Sequence, residues 1–407
     1  MISILKHRVN LPGLEQLFTS CILLSVIFLP DFKLTSGFSV RPEDLIVSLT
    51  FCYLLLYRAF FNTLFIKILG LMAIIMIASI GLNNRLLSVN SFELYNKIIK
   101  GSVCYTIVLL FLQNRANYIS FTKGLTVCII TAVIVNLLQI FHIPFISDIY
   151  TIYSNQIQMD AFGKVVATSS LPRVTGLIGN PNNNSTFFLV ITGFILDQLL
   201  VERKKSIHLL ILILCVTIII LTQSRTMFAA TLGLFFIVLV STGNILMIII
   251  IGGAYFFIQY FDIKYLSLIF NRDEFIQTNS YTGRISEWQS LLEMINRQPF
   301  MGYGGYKEYF YETQTYPESE YILGWFRYGA FYVLSYIYLC VHIFIRGAVT
   351  AWQKLPNGYF MLSTSLAMII GSISNTPFNN PRLFVLFALV NAYFQAGFLY
   401  TVQYQDM

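Results

Sequence analysis

The chain has 407 residues, of which 56% are hydrophobic and only 11% are charged. A soluble domain carries about 25% charged residues, so this composition excludes a soluble multidomain enzyme. Disorder is excluded as well, because 16% of the residues are aromatic and disordered chains are poor in such residues. We interpret the formal net charge of +7 as basic residues beside membrane helices rather than as a nucleic-acid surface.

Long unbroken apolar runs predict an all-α polytopic membrane protein that forms one integral membrane domain over residues 1–407. Each transmembrane helix needs about 20 apolar residues, whereas a transmembrane barrel would show alternating apolar and polar residues. The runs divide into about twelve predicted spans, at 14–30, 44–61, 63–81, 97–113, 121–141, 183–200, 206–222, 226–241, 244–261, 321–345, 358–374 and 382–402.

Two connections between the predicted spans are long, and long loops in compact proteins are usually functional. The first covers 142–182 and the second 262–320. Apolar residues between Ile285 and Ile295 recur at helical spacing, which predicts an amphipathic helix that ends before Pro299. Such a helix can lie along the membrane surface.

Basic residues in the short loops predict that both termini face the cytoplasm. The strongest indication is the basic turn at 203–205, whereas Arg85, Lys97 and Lys100 on the opposite side argue against this orientation. With both termini inside, both long loops are outside.

Polar residues mark the predicted outer ends of several spans. Arg173 precedes the sixth span together with Asn180 and Asn182, where a capped helix N-terminus favours an anion. An ordinary capped loop is the alternative. Arg225 lies between two apolar spans, and it either faces a polar cavity or extends to the membrane interface.

Two further segments carry charged candidates. Arg284 opens the amphipathic helix, and a solvated loop arginine is the alternative to a site residue. Glu320 and Arg327 lie seven residues apart on one face of a helix. Glu320 is therefore either a structural partner of Arg327 or a carboxylate that acts as a base, with Glu318 as a second carboxylate.

The predicted topology brings these distant segments to one membrane face. Several guanidinium groups at one interface suit a phosphate-bearing lipid headgroup, because arginine is a planar two-pronged donor that stays charged. The cysteines and histidines show no metal-ligand spacing, so neither a metal nor another cofactor is predicted. The last outer turn adds Asn375, Asn379, Asn380 and Arg382 to this face.

Four segments, taken in order, resemble the bacterial O-antigen polymerase and O-antigen ligase superfamily. They read RVTGLIGNPNN (173–183), TQSRT (222–226), GRISEWQSLLEMINRQPFMGYG (283–304) and SEYILGWFRYG (319–329). The resemblance implies a metal-independent, inverting glycosyltransferase with the membrane-embedded architecture of that superfamily. It implies glycans on undecaprenyl diphosphate as substrates, at the periplasmic face of the bacterial inner membrane. A chain-length regulator in the membrane is a further expected partner.

Arginines in the matching family motifs bind the diphosphate, which implies this role for Arg173, Arg225 and Arg284. Family ligases carry a catalytic histidine near the start of the span that here follows Glu320. This chain has no histidine there, which favours a polymerase and makes Glu320 the candidate base. A ligase and a transporter of the lipid-linked oligosaccharide stay open as alternatives. The expected site comprises Glu320 and Arg284 as catalytic residues and Arg173, Arg225, Arg284, Arg327, Asn180, Asn182 and Tyr306 as binding residues.

Overall fold

The structure is a computed structural model, which describes residues 12–29, 32–35, 38–40, 42–56, 63–84, 93–140, 173–202, 206–261, 263, 266, 279–306, 308–313 and 317–405. Its helices are α1 (Pro12–Phe28), α2 (Pro42–Leu56), α3 (Leu64–Leu82), α4 (Glu93–Phe111), α5 (Arg115–Ile140), α6 (Pro181–Leu200), α7 (Ser206–Leu221), α8 (Arg225–Thr242), α9 (Leu246–Tyr260), α10 (Asn279–Arg297), α11 (Glu308–Thr313), α12 (Glu320–Tyr328), α13 (Ala330–Trp352), α14 (Gly358–Ser374) and α15 (Pro381–Gln405). An antiparallel hairpin of β1 (Phe32–Thr35) and β2 (Phe38–Val40) follows α1.

The helices confirm the predicted fold class of an all-α polytopic membrane protein. In the described part of the chain, five helices are long and apolar enough to cross a membrane, namely α3, α5, α8, α13 and α15. Five more apolar helices are shorter, namely α1, α2, α7, α9 and α14. Together with α4 and α6, they place a helix on each of the twelve predicted spans. The basic turn at 203–205 and most of the first long loop lie outside the described residues.

The predicted tenth span, 321–345, is wrong as a single helix. The structure divides it into α12 and α13 at Gly329, which has a φ of +83°. A side chain at this position would collide with the carbonyl of Phe300. The hydropathy of the run is continuous across the break, because the break depends on this close backbone approach rather than on polarity.

Helix α10 covers the segment where the apolar spacing predicts a helix, but it begins at Asn279, so Arg284 lies in its second turn and does not open it. Its Leu291 and Ile295 are buried in a cluster with Leu323 and Phe326 of α12. These two side chains therefore pack against protein rather than along the membrane surface. The indole Nε1 of Trp325 also donates to the carbonyl of Pro299, at 2.8 Å.

Many helices start or end at one end of the bundle, which we call the upper end. Hydrogen bonds join the C-terminal ends of α1, α5, α7 and α14 to segments at the N-terminal starts of α4, α6, α8, α12 and α15. The opposite, lower end contains the start of α14. There the buried Asp197 of α6 accepts hydrogen bonds from the backbone N–H groups of Tyr359 and Phe360, at 3.1 and 2.7 Å. Asp197 thus caps a neighbouring helix, because the first N–H groups of a helix have no partner within it.

Replacing Asp197 by alanine should lower the free energy of unfolding by about 1–3 kcal/mol, because two buried N–H groups lose their acceptor. Thermal unfolding of the purified protein in detergent measures this effect. Glu202→Ala is the control, since Glu202 is an exposed carboxylate near the end of the same helix. Equal melting temperatures for the two variants would show that the cap contributes little.

Candidate active site

Arg173 joins two motifs that are distant in the sequence. Its Nε donates to the carbonyl of Thr222 at 2.9 Å, and its Nη2 donates to Oδ1 of Asn182 at 3.3 Å. The backbone N–H of Val174 also donates to the carbonyl of Leu221 at 3.1 Å. The segment before α6 is therefore attached to the turn between α7 and α8, and Arg173 is half-buried at this junction.

The turn before α6 has a shape that its neighbours fix. Gly176 has a φ of +55°, and a side chain there would collide with the carboxamides of Asn136 and Asn184. Those two carboxamides are hydrogen-bonded to each other at 2.7 Å. Gln139 of α5 accepts from the backbone N–H groups of Thr175 and Gly176, at 3.1 and 3.0 Å. Helix α5 thus holds the turn in the conformation that presents Arg173.

Asn180 and Asn182 have different roles at the start of α6. Oδ1 of Asn180 accepts from the backbone N–H groups of Asn182 and Asn183, at 2.9 and 3.3 Å, so Asn180 is the N-cap of the helix. Asn182 instead holds Arg173. The expected capping role of the asparagines is confirmed for Asn180, and binding of substrate by either residue stays a prediction.

The start of α6 contacts the end of α14. Nδ2 of Asn375 donates to Oδ1 of Asn183 at 2.8 Å. One residue earlier, Ser374 is hydrogen-bonded to Thr226 of α8. Arg225, the half-buried first residue of α8, therefore begins its helix beside the same junction.

Glu320 lies in the layer that these contacts form. Its backbone N–H donates to the carbonyl of Asn375 at 3.1 Å, and its Oε2 accepts from the backbone N–H of Asn379 at 2.9 Å. Only 2% of the residue is exposed. Burial raises the pKa of Glu320 to about 7, although the Asn379 N–H and the nearby Lys97 and Arg327 act in the opposite direction. A carboxylate with a pKa near neutrality suits a general base.

Lys97 is a further residue of the site, although the sequence indicated it only as a basic residue on the outer side. It lies in the first turns of α4, 5% exposed, and its Nζ donates to the backbone carbonyl and to Oδ1 of Asn379, at 2.6 and 2.8 Å. A lysine inside an apolar helix is costly unless it is paired. This cost indicates that Lys97 has a polar partner, but the sequence does not identify that partner because Asn379 is 282 residues away.

These contacts form one hydrogen-bonded layer at the upper end, which we call the upper polar layer. Its members come from α4, α6, α12 and the turns before α6, α8 and α15. Arg382 lies beside it and donates to the carbonyls of Leu29 and Leu177. The layer consists of Lys97, Arg173, Asn182, Asn183, Thr222, Glu320, Asn375 and Asn379.

Arg284 and Glu318 form an ion pair next to this layer. Their side chains are 26% and 52% exposed, respectively. Ion pairs this exposed contribute about 0–1 kcal/mol, so an anionic ligand can replace Glu318 at little cost. The two carboxylates proposed as bases thus differ: Glu318 is exposed and paired with Arg284, whereas Glu320 is buried.

Arg327 and Tyr306 lie around the glycine-rich turn at 302–305. The carbonyl of Arg327 accepts from the N–H of Gly304 at 2.8 Å, and its Nη2 donates to the carbonyl of Gly305 at 3.5 Å. Arg327 is 2% exposed. Tyr306 is half-buried, with its ring 6.0 Å from that of Tyr309. Direct binding of substrate by these two residues stays a prediction.

A comparison with protein families gave one match, which includes part of this layer. Residues 210–337 match the family model described as O-Antigen ligase. Over these residues the chain is similar to the O-antigen polymerase and ligase superfamily. The members of this superfamily are glycosyltransferase-like enzymes. The match confirms the resemblance, and it covers the segments 222–226, 283–304 and 319–329 but not 173–183. A comparison with curated proteins gave no match.

The family match covers only part of the candidate site. Arg225, Arg284, Glu320 and Arg327 fall within the matched residues, whereas Arg173 falls outside them. One hydrogen bond from Arg173 to the carbonyl of Thr222 nevertheless attaches it to the matched segment.

The described histidines lie away from Glu320. His208 begins α7 at the lower end, and His342 lines a pocket in the lower half of α13. His7 and His142 lie outside the described residues.

Replacing Lys97 by glutamine should shift the pH–rate profile to higher pH. Lys97 is a cation near Glu320 that favours the ionised carboxylate, so its removal should raise the pKa of Glu320. Glycosyl transfer is measured from pH 5 to 9. Lys100→Gln is the matched control, because Lys100 is equally buried one turn further along α4 but is paired with Asp44. An unshifted profile in Lys97→Gln would contradict an active role of Glu320 in proton transfer.

Proposed function

We propose that the chain is a polysaccharide (O-antigen) polymerase, which joins undecaprenyl-diphosphate-linked oligosaccharide repeats. A sugar hydroxyl of one lipid-linked repeat attacks the anomeric carbon of a growing lipid-linked chain. Undecaprenyl diphosphate leaves from the opposite face, so the anomeric configuration inverts. The observation that carries the proposal is the buried Glu320 carboxylate, which shares one hydrogen-bonded layer with the Arg173 motif.

Fixed arginines stabilise the leaving group in this proposal. Negative charge develops on the diphosphate as the glycosidic bond breaks, and preorganised cations lower that barrier. Arg173 and Arg225 are half-buried at the junction of α6, α8 and α14. Arg284 exchanges its exposed partner Glu318 for a diphosphate oxygen. Diphosphate is already a good leaving group, so no general acid is required.

Glu320 accepts the proton of the attacking hydroxyl. The backbone N–H of Asn379 donates to Oε2 of Glu320 and orients the carboxyl group. With a pKa of about 7, both the ionised and the protonated form of the carboxyl group are present near neutral pH. The base is therefore stronger than an ordinary glutamate and is still available in its ionised form.

A ligase is the second candidate, and the description of the matched family as O-Antigen ligase favours it. The donor chemistry is the same in both reactions, and only the acceptor differs. In a ligase, the acceptor is a sugar of the lipid A core rather than a second lipid-linked repeat. Family ligases have a catalytic histidine near the start of the span that follows Glu320. This chain has no histidine there, which supports the polymerase.

Purified full-length protein in lipid nanodiscs, supplied with a defined undecaprenyl-diphosphate oligosaccharide, separates these functions. A ladder of products that differ by one repeat, with release of undecaprenyl diphosphate, supports the polymerase. A product that forms only after lipid A core is added identifies a ligase. Transport of the oligosaccharide across vesicle membranes without release of undecaprenyl diphosphate identifies a transporter.

The proposal places the upper end at the periplasmic face of the inner membrane. In a cysteine-free background, Thr313→Cys should react with a membrane-impermeant maleimide from the periplasm, because Thr313 is exposed at the end of α11. Lys354→Cys is the control, as Lys354 is exposed after α13 at the lower end. It should react only after the inner membrane is opened. The reverse pattern would contradict the orientation.

A further inference from the structure

An apolar groove runs between α3 and α13 on the outside of the bundle. It has a volume of about 610 Å³, which lies within the usual range of small-molecule sites, about 300–1,000 Å³. Its lining runs from Leu64 to Ile75 on α3 and from Phe331 to Tyr338 on α13. Leu71 and Leu334 are 49% and 61% exposed, so the groove is open to the surrounding lipid.

At Leu64, the groove adjoins a small polar pocket. Leu64 lines both, and the pocket has a volume of about 40 Å³ between α3, α13 and α15. Arg346 lies in its wall, where both Nη atoms donate to Oε1 of Gln395 at 3.3 Å. The guanidinium also lies 5.0 Å from the ring centroid of Phe394. These contacts hold a cation within a membrane-spanning helix.

Among the described residues that line the two cavities, two are cations. Lys67 lines the groove about one turn from Leu64, and Arg346 lines the pocket. Among the described lining residues there is no aspartate or glutamate. Positive charge at membrane depth is unfavourable unless an anion or water accompanies it. The lining therefore selects a ligand with a negative group at the Leu64 end and an apolar chain along the groove.

The length and position of the groove indicate which leaflet supplies this ligand. Leu64 is the first residue of α3, at the end opposite the 301–304 turn that contacts Ser79 and Asn83. From Leu64 to Ile75 the helix rises roughly 16 Å, about half of the 30 Å hydrocarbon core. This length fits an acyl chain of the lower leaflet. A polyprenyl carrier would approach from the upper end, where the groove lining is apolar.

We propose that the groove binds an anionic phospholipid from the leaflet opposite the active site. One acyl chain lies between α3 and α13, and the phosphate lies near Lys67 and Arg346. Lys67 reaches the headgroup because a lysine stem can follow an apolar surface while its ammonium group stays polar. Phosphatidylcholine carries an ammonium group for which the described lining offers no carboxylate, so an anionic headgroup is preferred. Basic pockets between membrane helices bind anionic lipids in this way.

Native mass spectrometry of the full-length protein in detergent tests the proposal. The protein is titrated with palmitoyl-oleoyl phosphatidylglycerol or with phosphatidylcholine of the same acyl chains. We expect tighter binding of phosphatidylglycerol, and about a fivefold loss of its affinity in Lys67→Gln. Ser335→Trp fills the groove without removing charge, and it should weaken binding of both lipids.

Lys123→Gln is the matched control. Lys123 is an exposed lysine on α5 that lines neither cavity. Equal affinity of the wild type for the two lipids would overturn the proposal. So would an equal loss in Lys123→Gln and Lys67→Gln, or one-for-one displacement of phosphatidylglycerol by undecaprenyl phosphate. Arg346→Gln adds a second test if it folds, and the Lys67 and Ser335 variants decide the question without it.

Discussion

Replacing Glu320 by glutamine should lower the turnover number by about 10²–10⁴-fold, the usual contribution of a general base. Glutamine keeps the shape of the side chain and still accepts the hydrogen bond from Asn379, but it cannot take a proton. Affinity for the lipid-linked donor should stay nearly unchanged. Turnover and donor affinity are measured separately on purified protein in nanodiscs.

Glu318→Gln is the matched control for this substitution, because Glu318 is an exposed carboxylate two residues away. It should lower turnover far less. Near-normal turnover of Glu320→Gln, together with a lower melting temperature, would instead assign Glu320 a structural role between α12 and the turn before α15. The sequence left open a different structural role, as a partner of Arg327.

The pH dependence offers an independent readout of the same group. A base acts when it is ionised, and burial places the pKa of Glu320 at about 7. The kcat/KM of the wild type should therefore rise as the pH increases through about 7 and level off above it. Glu320→Gln should lose this rise, because the titrating carboxyl group is gone.

Replacing Arg284 by alanine should lower the rate of glycosyl transfer by about 10²–10³-fold, comparable to the loss of one preorganised donor at a developing negative charge. Arg284 is partly exposed and its ion pair with Glu318 is weak, so the protein should fold normally. Arg284→Lys should restore little of the rate if Arg284 donates to two diphosphate oxygens. The lysine ammonium is a point charge and cannot form the two parallel hydrogen bonds of a planar guanidinium.

Arg297→Ala is the control for Arg284, because Arg297 is an exposed arginine at the other end of α10. Arg173→Ala and Arg225→Ala should cause losses of similar size. Arg173 also donates hydrogen bonds to Thr222 and Asn182. The melting temperature of its variants must therefore be measured together with their rate. Wild-type activity in all three alanine variants would refute the diphosphate-binding assignment.

The amino-acid sequence by itself determined the membrane class, the position of the helices and the candidate arginines. Hydropathy and spacing are local properties, and a helix of about 20 apolar residues satisfies its own backbone within one segment. The amphipathic α10 and the N-cap at Asn180 follow from equally local patterns. The break at Gly329 could not be predicted from local patterns, because it depends on the close approach of Gly329 to the carbonyl of Phe300.

Only the tertiary structure decided how the polar residues are paired. Lys97 and Asn379 are 282 residues apart, Asp197 caps a helix that begins more than 150 residues later, and Arg284 is paired with Glu318 rather than left in solvent. The same residue types are compatible with a solvated loop or a buried partner. The choice depends on the desolvation that packing imposes, and packing brings together segments whose local patterns are independent of one another. For that reason the arginine motifs were visible in the sequence, whereas the lysine that lies beside the candidate base was not.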